Sequence, residues 1–534
     1  MTRIRTAPRP VFCIVEASHR DLDLARAVRA GRFRHCGVEL ELGTDPDWLG
    51  AVLPDDDEWL IEWWKFGYAL DLAHAYEETR DRSYAACFAR LVTTFAEQVP
   101  VDARSSDVAA RRLLHWVYAW SRLAAAVDTD LAPSIIELVG YIRANLTAER
   151  NHRTFELYSL FVAALALPDM EGAGELRAFA LEELHANLLA DMLPDGVQRE
   201  RSTHYHLIAL QSFLGTVANA ARFELELPDG FRERLGTACT FALHCHRPDG
   251  EIPALSDSDG GGYLPDLALA AELLGRDDLR WVATGGREGS PPAHPQAWFE
   301  VGGYAVQRSG FGEHEPFADE RFLIFDCGAI GDGGHGHYDA LSIEAYGLGR
   351  PLVVDPGRFT YAEGDPNLRH WFKGTAAHNT VVVDGLDQTP YRRGKPRAGT
   401  AATARLTARR TLPGREILIG EVRSTRYDTV HRRTVSFIDG ARWRIEDVLD
   451  GGTERDFDLR WHLPPGTAPR LSRRGAVVRV EAVGVALEID GAREVRIERG
   501  WVSRAYGERD EAPVVSALAR GRRHRFSTLL EPVR

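Results

Sequence analysis

Apolar residues recur at helical spacing through the first half of the chain and at alternate positions through the second. In EWLIEWWKFGYALDLAHAYEETR (58–80), Trp59, Trp63, Phe66, Leu70, Ala73 and Tyr76 follow an i, i+3, i+4 rhythm, which predicts an amphipathic helix. The same rhythm predicts helices at roughly 82–98, 107–127, 132–147, 152–167, 174–192, 204–223, 230–246 and 264–275. Their connectors carry Pro, Gly or Asp, as in LPDGV (193–197) and RPDGEIP (247–253), and suit turns. Consecutive helices on short links suit a superhelix or a closed toroid, and spacing does not choose between them. The period changes near residue 296. Beyond Trp298 come YAVQRS, RFLIFDCG, LSIEAYG, PLVVD, NTVVVDG, TVHRRTVSFI, RWRIEDVL, FDLRWHL and AVVRVEAV, short alternating runs that predict stacked antiparallel sheets. Helices followed by strands predict an α+β multidomain chain: an N-terminal segment (1–50), a helical domain (51–295) and an antiparallel β domain (296–534). Within the first segment the pattern gives a strand-like run, VFCIVE, one short helix, and a loop through Trp48.

Composition narrows the function without naming it. A chain of 534 residues exceeds one ordinary core, and 44% apolar with 27% charged residues describes a globular protein. The net charge of −13 argues against a nucleic-acid or anionic-membrane partner. A polyanionic substrate remains compatible, because a cleft can be basic while the surface is acidic. Lysine occurs only as Lys65, Lys373 and Lys395, so arginine carries nearly all positive charge, a pattern that a GC-rich genome also produces. The six cysteines form no CxxC pair and read as scattered buried thiols. No apolar h-region opens the chain and no run of about 18 apolar residues interrupts it, so the expectation is a soluble, cytoplasmic protein. A homo-oligomer stays open.

The densest polar cluster is GDGGHGHYDA (331–340). On a strand or its end, His335 and His337 would point to one side. Asp355, in PLVVDPG, is expected to fold back beside His337 across a GLGRP turn, and His378 follows in AHNTVVVDG. Two histidines and an aspartate suit a zinc-type site, although HxH pairs also occur as ordinary structural histidines. In the helical half, NHRTFE (151–156) and RERSTHYH (199–206) each open a helix, with Asn151, and Ser202 or Thr203, as expected caps. Helix starts of this kind attract anions.

These motifs, in their order and spacing, resemble the heparinase II/III-like polysaccharide lyases, relatives of the oligoalginate lyases. ARAVRAGRFRHCGVELELGTDPDW, NHRTFE, DGVQRERSTHYH and PDGEIPALSDSD match the first part of the family pattern; HGHYDALSIEAYGLGRPLVVDPG and HNTVVVDG match its β-domain signature. The resemblance implies an N-terminal (α/α) toroid followed by a C-terminal antiparallel β-sandwich. It implies that Asn151 and His152 hold a substrate carboxylate, that Tyr205 is the catalytic tyrosine, and that His335 works opposite it. His337, Asp355 and His378 match positions that hold a structural zinc in some members, and no organic cofactor is expected.

The chemistry fits these residue types. A uronate C5–H becomes removable when donors such as Asn151 and His152 stabilise the developing enolate, while a base takes the proton and an acid protonates the departing O4. Glu156, one turn after His152, is expected to orient that imidazole. Arg153, Arg199, Arg201, Arg358 and Arg369 are candidates for reading substrate carboxylates or sulfates, each with an ordinary capping or surface role as the alternative. The expected activity is β-elimination on a uronate-containing oligosaccharide or polysaccharide, with short oligosaccharides favoured by the cytoplasmic expectation. A uronate C5-epimerase and a non-catalytic glycan-binding protein are the alternatives.

Overall fold

A computed structural model describes residues 8–50, 52–54, 57–331, 334–393 and 401–534. Asp332 and Gly333 of the polar cluster, residues 1–7 of the N-terminal segment, Lys395, and Ala51 at the expected start of the helical domain lie outside the described residues.

The helical expectations appear as α1 (Leu22–Arg29), α2 (Asp57–Lys65), α3 (Tyr68–Thr79), α4 (Arg82–Gln98), α5 (Ser106–Leu123), α6 (Ala132–Ala144), α7 (Arg150–Ala166), α8 (Ala173–Asp191), α9 (Thr203–Arg222), α10 (Phe231–Cys245) and α11 (Leu264–Leu274), and a further helix not expected, α12 (Asp277–Ala283), follows. The single run expected over 58–80 is two helices. Phe66 adopts a left-handed φ of 62° and breaks it, which turns its ring onto Trp48, Phe95 and Trp116 at 5.2–5.4 Å. Trp59 and Trp63 join this cluster, fully buried, and each such side chain contributes about 1.5–3 kcal/mol by leaving water. A second anchor is the buried Tyr118–Tyr158 hydroxyl pair at 2.8 Å, under which Gly215 of α9 must lack a side chain, since a Cβ there would meet the Tyr158 Oη at 2.1 Å. The N-terminal segment differs from expectation. VFCIVE is not a strand, and the stretch read as loop contains the hairpin β1 (Arg32–His35) and β2 (Val38–Glu41).

Beyond residue 296 the strands form two antiparallel sheets among the described residues. Five strands, β3 (Ala297–Phe299), β4 (Tyr304–Arg308), β5 (Phe322–Asp326), β6 (Ile343–Gly347) and β7 (Arg350–Val353), pair in sequence order. The larger sheet holds β8 (Val381–Val383), β9 (Ala402–Leu412), β10 (Arg415–Ser424), β11 (Val430–Ile438), β12 (Arg442–His462), β13 (Arg470–Arg474), β14 (Val477–Ala482), β15 (Val485–Asp490), β16 (Glu494–Ala505) and β17 (Glu508–Pro532). Its main path runs β13-β14-β15-β17-β12-β11-β10-β9. RWRIEDVL and FDLRWHL are one strand, β12, with a register shift between Asp450 and Arg455. Leu323, Phe325 and Ile343 of the small sheet share one apolar core with Val435, Trp443, Ile445, Leu459 and Trp461 of the large one. All six cysteines are free thiols, five of them buried, and no helix among the described residues is long and apolar enough to cross a membrane.

The chain forms two compact units, Met1–Asp191 with Ile208–Leu235, and Met192–Leu207 with Gly236–Arg534. This differs from a division at 295/296. The reason is apolar: Val197, Phe241, Cys245 and Leu255 pack in one cluster with Phe299, Tyr304, Val306 and Ile324, so these helical-region residues group with the strands.

One buried ion pair ties the sandwich core to the loops above it. Arg433 of β11 lies opposite Asp447 of β12 and donates to it at 2.7 and 3.1 Å, while His431 reaches the same carboxylate at 2.7 Å. The remaining Arg433 nitrogen donates to the carbonyls of Leu341, at 2.7 Å, and Asn379. Asn379 in turn donates to Ile343 O and Val354 O and accepts from His462 N. Burial opposes the Asp447 charge, but Arg433 and His431 outweigh it and hold the carboxyl down from 3.8 to about 2. Its depressed folded value means that Asp447 adds stability above the ordinary carboxylate range and loses it as pH falls through the folded value, roughly 2 kcal/mol in all. Asp447→Asn should therefore be less stable than the parent at neutral pH, and the gap in urea midpoint should narrow as pH falls from about 4 towards about 2. A gap that stays constant over that range would contradict this account of the pair.

Candidate active site

Three segments of the second unit meet through hydrogen bonds before any functional side chain is considered. Ser202 caps α9, accepting from Tyr205 N at 3.3 Å and donating to Asp257 O at 2.9 Å. Thr203 Oγ1 donates to Pro253 O at 2.5 Å, and the Ser258 hydroxyl accepts from His204 N at 3.2 Å. Asp257 N donates to His335 O at 3.1 Å. The start of α9, the ALSDSD loop and the HGHYDA loop are thus stitched together. Arg201, Ser256, Leu341 and Phe359 take left-handed φ values of 53–67° in and beside these segments, strain that the surrounding bonds sustain. Gly357 (φ 72°) brings the segment after β7 close to Ser503, whose carbonyl oxygen would lie 2.4 Å from a Cβ there.

Asp257 is the hub. It is fully buried and accepts from His335 Nδ1 at 2.9 Å, His337 Nε2 at 2.9 Å, and both terminal nitrogens of Arg369, one at 2.6 Å. Burial alone would raise this carboxyl, yet Arg369 and the two imidazoles hold it well below the usual range. The two histidines do face one side as expected, although they sit on an irregular loop and not on a strand. His335 bonds Asp257 through Nδ1, and its Nε2 lies 3.4 Å from the buried Glu200 carboxylate.

The Tyr205 ring lies against that of His335, with centroids 4.2 Å apart and planes tilted by 36°. Its hydroxyl lies 2.8 Å from that of Tyr361, which accepts from Arg358 at 2.8 Å. Arg358 is held by Asp259 through two bonds of 2.7 and 2.5 Å. Burial pushes the Tyr205 phenol up to about 12, against the lowering effect of Arg358 and the Tyr361 bond, so it is protonated at neutral pH.

A second cluster lies beside the first. His337 Nδ1, Asp339 Oδ2 and His378 Nε2 are each buried without a hydrogen-bond partner, and these residues offer ligand atoms within 4.8 Å of one another. Two imidazole nitrogens and a carboxylate oxygen converging in a buried site are a donor set that fits a cation. Asp257 fixes the His337 tautomer, and burial lowers that imidazole to about 4, so it is neutral and its lone pair is available. Asp355, expected as a ligand, instead bonds His378 Nδ1 at 2.8 Å and accepts from Gly357 N at 3.2 Å; Asp339 takes its place in the trio. Burial and the neighbouring acids raise Asp339 and Asp326, and a water-sized cavity of about 20 Å³ opens between them, His337 and Arg201.

Several other expectations shift. Asn151 and His152 lie in the first turn of α7, in the first unit, but Glu149 is at the cap position and Asn151 lies inside the helix. Glu156 does not orient His152. It is fully buried and accepts from Ser106 Oγ at 2.6 Å and from Thr147 N and Oγ1 at 2.7 Å, whereas His152 is 42% exposed with Asp107 3.9 Å away. Arg153 is committed to Thr147 O and Glu183, and Arg201 to the carbonyls of Ala329 and Val301. Arg358 and Arg369 are paired with the carboxylates of Asp259 and Asp257. Arg199 is half-buried beside Glu200. Residues not singled out in the sequence are Asp257, Asp259, Glu200, Asp339 and Tyr361. Asp339 carried a signal, the H-x-H-x-D spacing, and the two aspartates of ALSDSD stood in a motif already noted.

Comparison with known proteins accords with this geometry. The profile described as Heparinase II/III N-terminus matches residues 24–263, and that described as Heparinase II/III-like, C-terminal, matches 291–528. A heparin-sulfate lyase of Bacteroides stercoris is 24% identical over 379 residues, 68% of this chain and 54% of that protein. One of Pedobacter heparinus is 20% identical over 465 residues, 80% of this chain and 66% of that protein. The chain thus spans about half and about two thirds of these two relatives. Among solved structures, a heparinase III superposes with a TM-score of 0.82 at 17% identity, covering 100% of this chain and 86% of that one. A heparan sulfate lyase from Pedobacter heparinus superposes with a TM-score of 0.68 at 19% identity, covering 99% and 84%. The fold is accordingly an (α/α) toroid followed by an antiparallel β-sandwich. With both profiles matched in order and together spanning most of its length, the chain belongs to the heparinase II/III-like family.

Proposed function

We propose that this protein is a lyase that cleaves uronate-containing glycans, of the heparan sulfate class that its relatives' names indicate, by β-elimination. The observation that carries the reading is the Tyr205 ring lying against that of His335, with each side chain held by a hydrogen bond, Tyr205 to Tyr361 and His335 to Asp257. In the reaction the C5–H bond breaks and its proton passes to a base. The electron pair becomes the C4=C5 double bond, the C4–O4 bond breaks, and O4 departs with a proton. Tyr205, protonated at rest, is the acid for O4. Where C5–H and O4 share a face, the same tyrosine in its ionised form serves as base first. Where they lie on opposite faces, His335 serves from the other side. Asn151 and His152 enter as donors to the substrate carboxylate, a role that rests on the family resemblance.

Zinc belongs to the same proposal. His337, Asp339 and His378 would hold it, with Asp355 behind His378 and Asp257 behind His337. Its contribution would be to brace the HGHYDA loop. Proton transfer is left to Tyr205 and His335.

Incubation with a panel of uronate glycans and oligosaccharides should produce the ultraviolet absorbance of a double bond conjugated to a carboxylate. Tyr205→Phe should lower that rate roughly a hundred- to ten-thousand-fold while leaving thermal unfolding unchanged. A variant that keeps most of the parent's rate would overturn the assignment of Tyr205. For the metal, elemental analysis of protein purified without chelators should find stoichiometric zinc, and His337→Ala should lose it together with several degrees of thermal stability. Metal-free parent protein of full stability would refute the zinc site.

A further inference from the structure

The geometry points to Tyr361 as a positioning residue that acts through Tyr205, donating a hydrogen bond polarised by Arg358 and thereby favouring the ionised form of the Tyr205 phenol. The inference rests on the reading of Tyr205 as the group that moves the proton, and goes beyond it by assigning the device that prepares it.

The argument begins with donor capacity. A guanidinium only donates, so the 2.8 Å contact between Arg358 and the Tyr361 oxygen is a bond that Tyr361 accepts. The Tyr361 proton is then available for the Tyr205 oxygen, also 2.8 Å away. While Tyr205 is neutral this is a hydrogen bond between two phenols. Once Tyr205 ionises, Tyr361 must be the donor, and the bond becomes charge-assisted and about twice as strong. Arg358 strengthens it further by drawing electron density from the Tyr361 oxygen, in a setting where hydrogen bonds polarise one another. The chain therefore stabilises one protonation state of Tyr205 over the other, which a purely structural contact would not do.

The chain is also held rigid. Asp259 binds Arg358 through two nitrogens and leaves the third for Tyr361. Tyr361 N donates to the Tyr506 hydroxyl at 2.9 Å, and the Tyr361 and Tyr506 rings lie 5.4 Å apart. Arg369 lies over the Tyr361 ring at 4.9 Å. The charged and titratable groups facing Tyr205 are Glu200 and His204 from its own helix start, Asp257 from the ALSDSD loop, and His335 from the HGHYDA loop. Arg358 and Tyr361 face it from the segment after β7. Glu200 and Asp257 are acidic and oppose ionisation of Tyr205. Arg358, acting directly and through Tyr361, is the cation set against them.

The test replaces Tyr205 in the full-length protein with a fluorinated tyrosine, whose phenol ionises well below that of tyrosine, and follows its fluorine resonance with pH. In the Tyr361→Phe background, which keeps the ring and removes one oxygen, the ionisation midpoint should rise by about one pH unit. Arg358→Gln should move it in the same direction. With Tyr205 itself restored, Tyr361→Phe should lower kcat with little change in KM, on a glycan that the parent cleaves. An unchanged midpoint in both variants would overturn the inference. The titration needs no substrate: a parent that cleaves no glycan would count against the proposed function while leaving the titration to decide on Tyr361. An active parent with an unmoved midpoint would remove Tyr361 and leave the lyase reading standing.

Discussion

A single buried carboxylate organises the chemistry of this protein. Asp257 has no contact with water, and an isolated charge in such a place would be strongly unfavourable. It persists because Arg369 matches its two oxygens in a planar fork and two imidazoles donate to the same atoms. The arrangement fixes the ring nitrogen by which His335 and His337 are each held. It turns His335 toward Tyr205 and leaves the His337 lone pair on the side of Asp339 and His378. The Tyr205–His335 pair and the His337–Asp339–His378 cluster therefore share one anchor, Asp257.

The sandwich supplies the support beneath. Arg433 and Asp447 form an ion pair in a core otherwise made of Trp443, Ile445, Leu459 and Trp461, where the desolvation cost of each charge is offset by the other. What it secures is position. The free arm of Arg433 holds the carbonyls of Leu341 and Asn379, the residues that flank the loops bearing Asp339 and His378. Asn379 then bonds Ile343, Val354 and His462, so the HN motif serves the backbone with its Asn and the cluster with its His. Rigid strands with their loops clamped from below are what a site needs when its acid and base must be held to fractions of an ångström.

The succession of helices and strands was legible in the sequence because burial follows period, and that period survives even where a helix breaks at Phe66 or a strand bulges at Asp450. Chain-local chemistry was legible too: Ser202, one of two expected caps, caps the helix of Tyr205, and His335 and His337 face one side. What spacing did not reveal was pairing across long separations. Asp257 lies 78 residues before His335, and Tyr361 lies 156 after Tyr205. Local readings failed for a related reason. Glu156 sits at the right helical spacing to meet His152, yet Ser106 and Thr147 offer it a buried set of donors. Asp355 lies at the strand end where a ligand was expected, but the His378 nitrogen nearest to it is the one it fixes in place.

The most direct test of the account is mass spectrometry of the products formed from a heparan-type oligosaccharide in deuterated water. β-Elimination predicts two fragments, one ending in an unsaturated uronate that is lighter by one water than the hydrolysis fragment, with no deuterium on carbon. Fragments that have gained water, or an uncut chain that has acquired deuterium at C5, would contradict it.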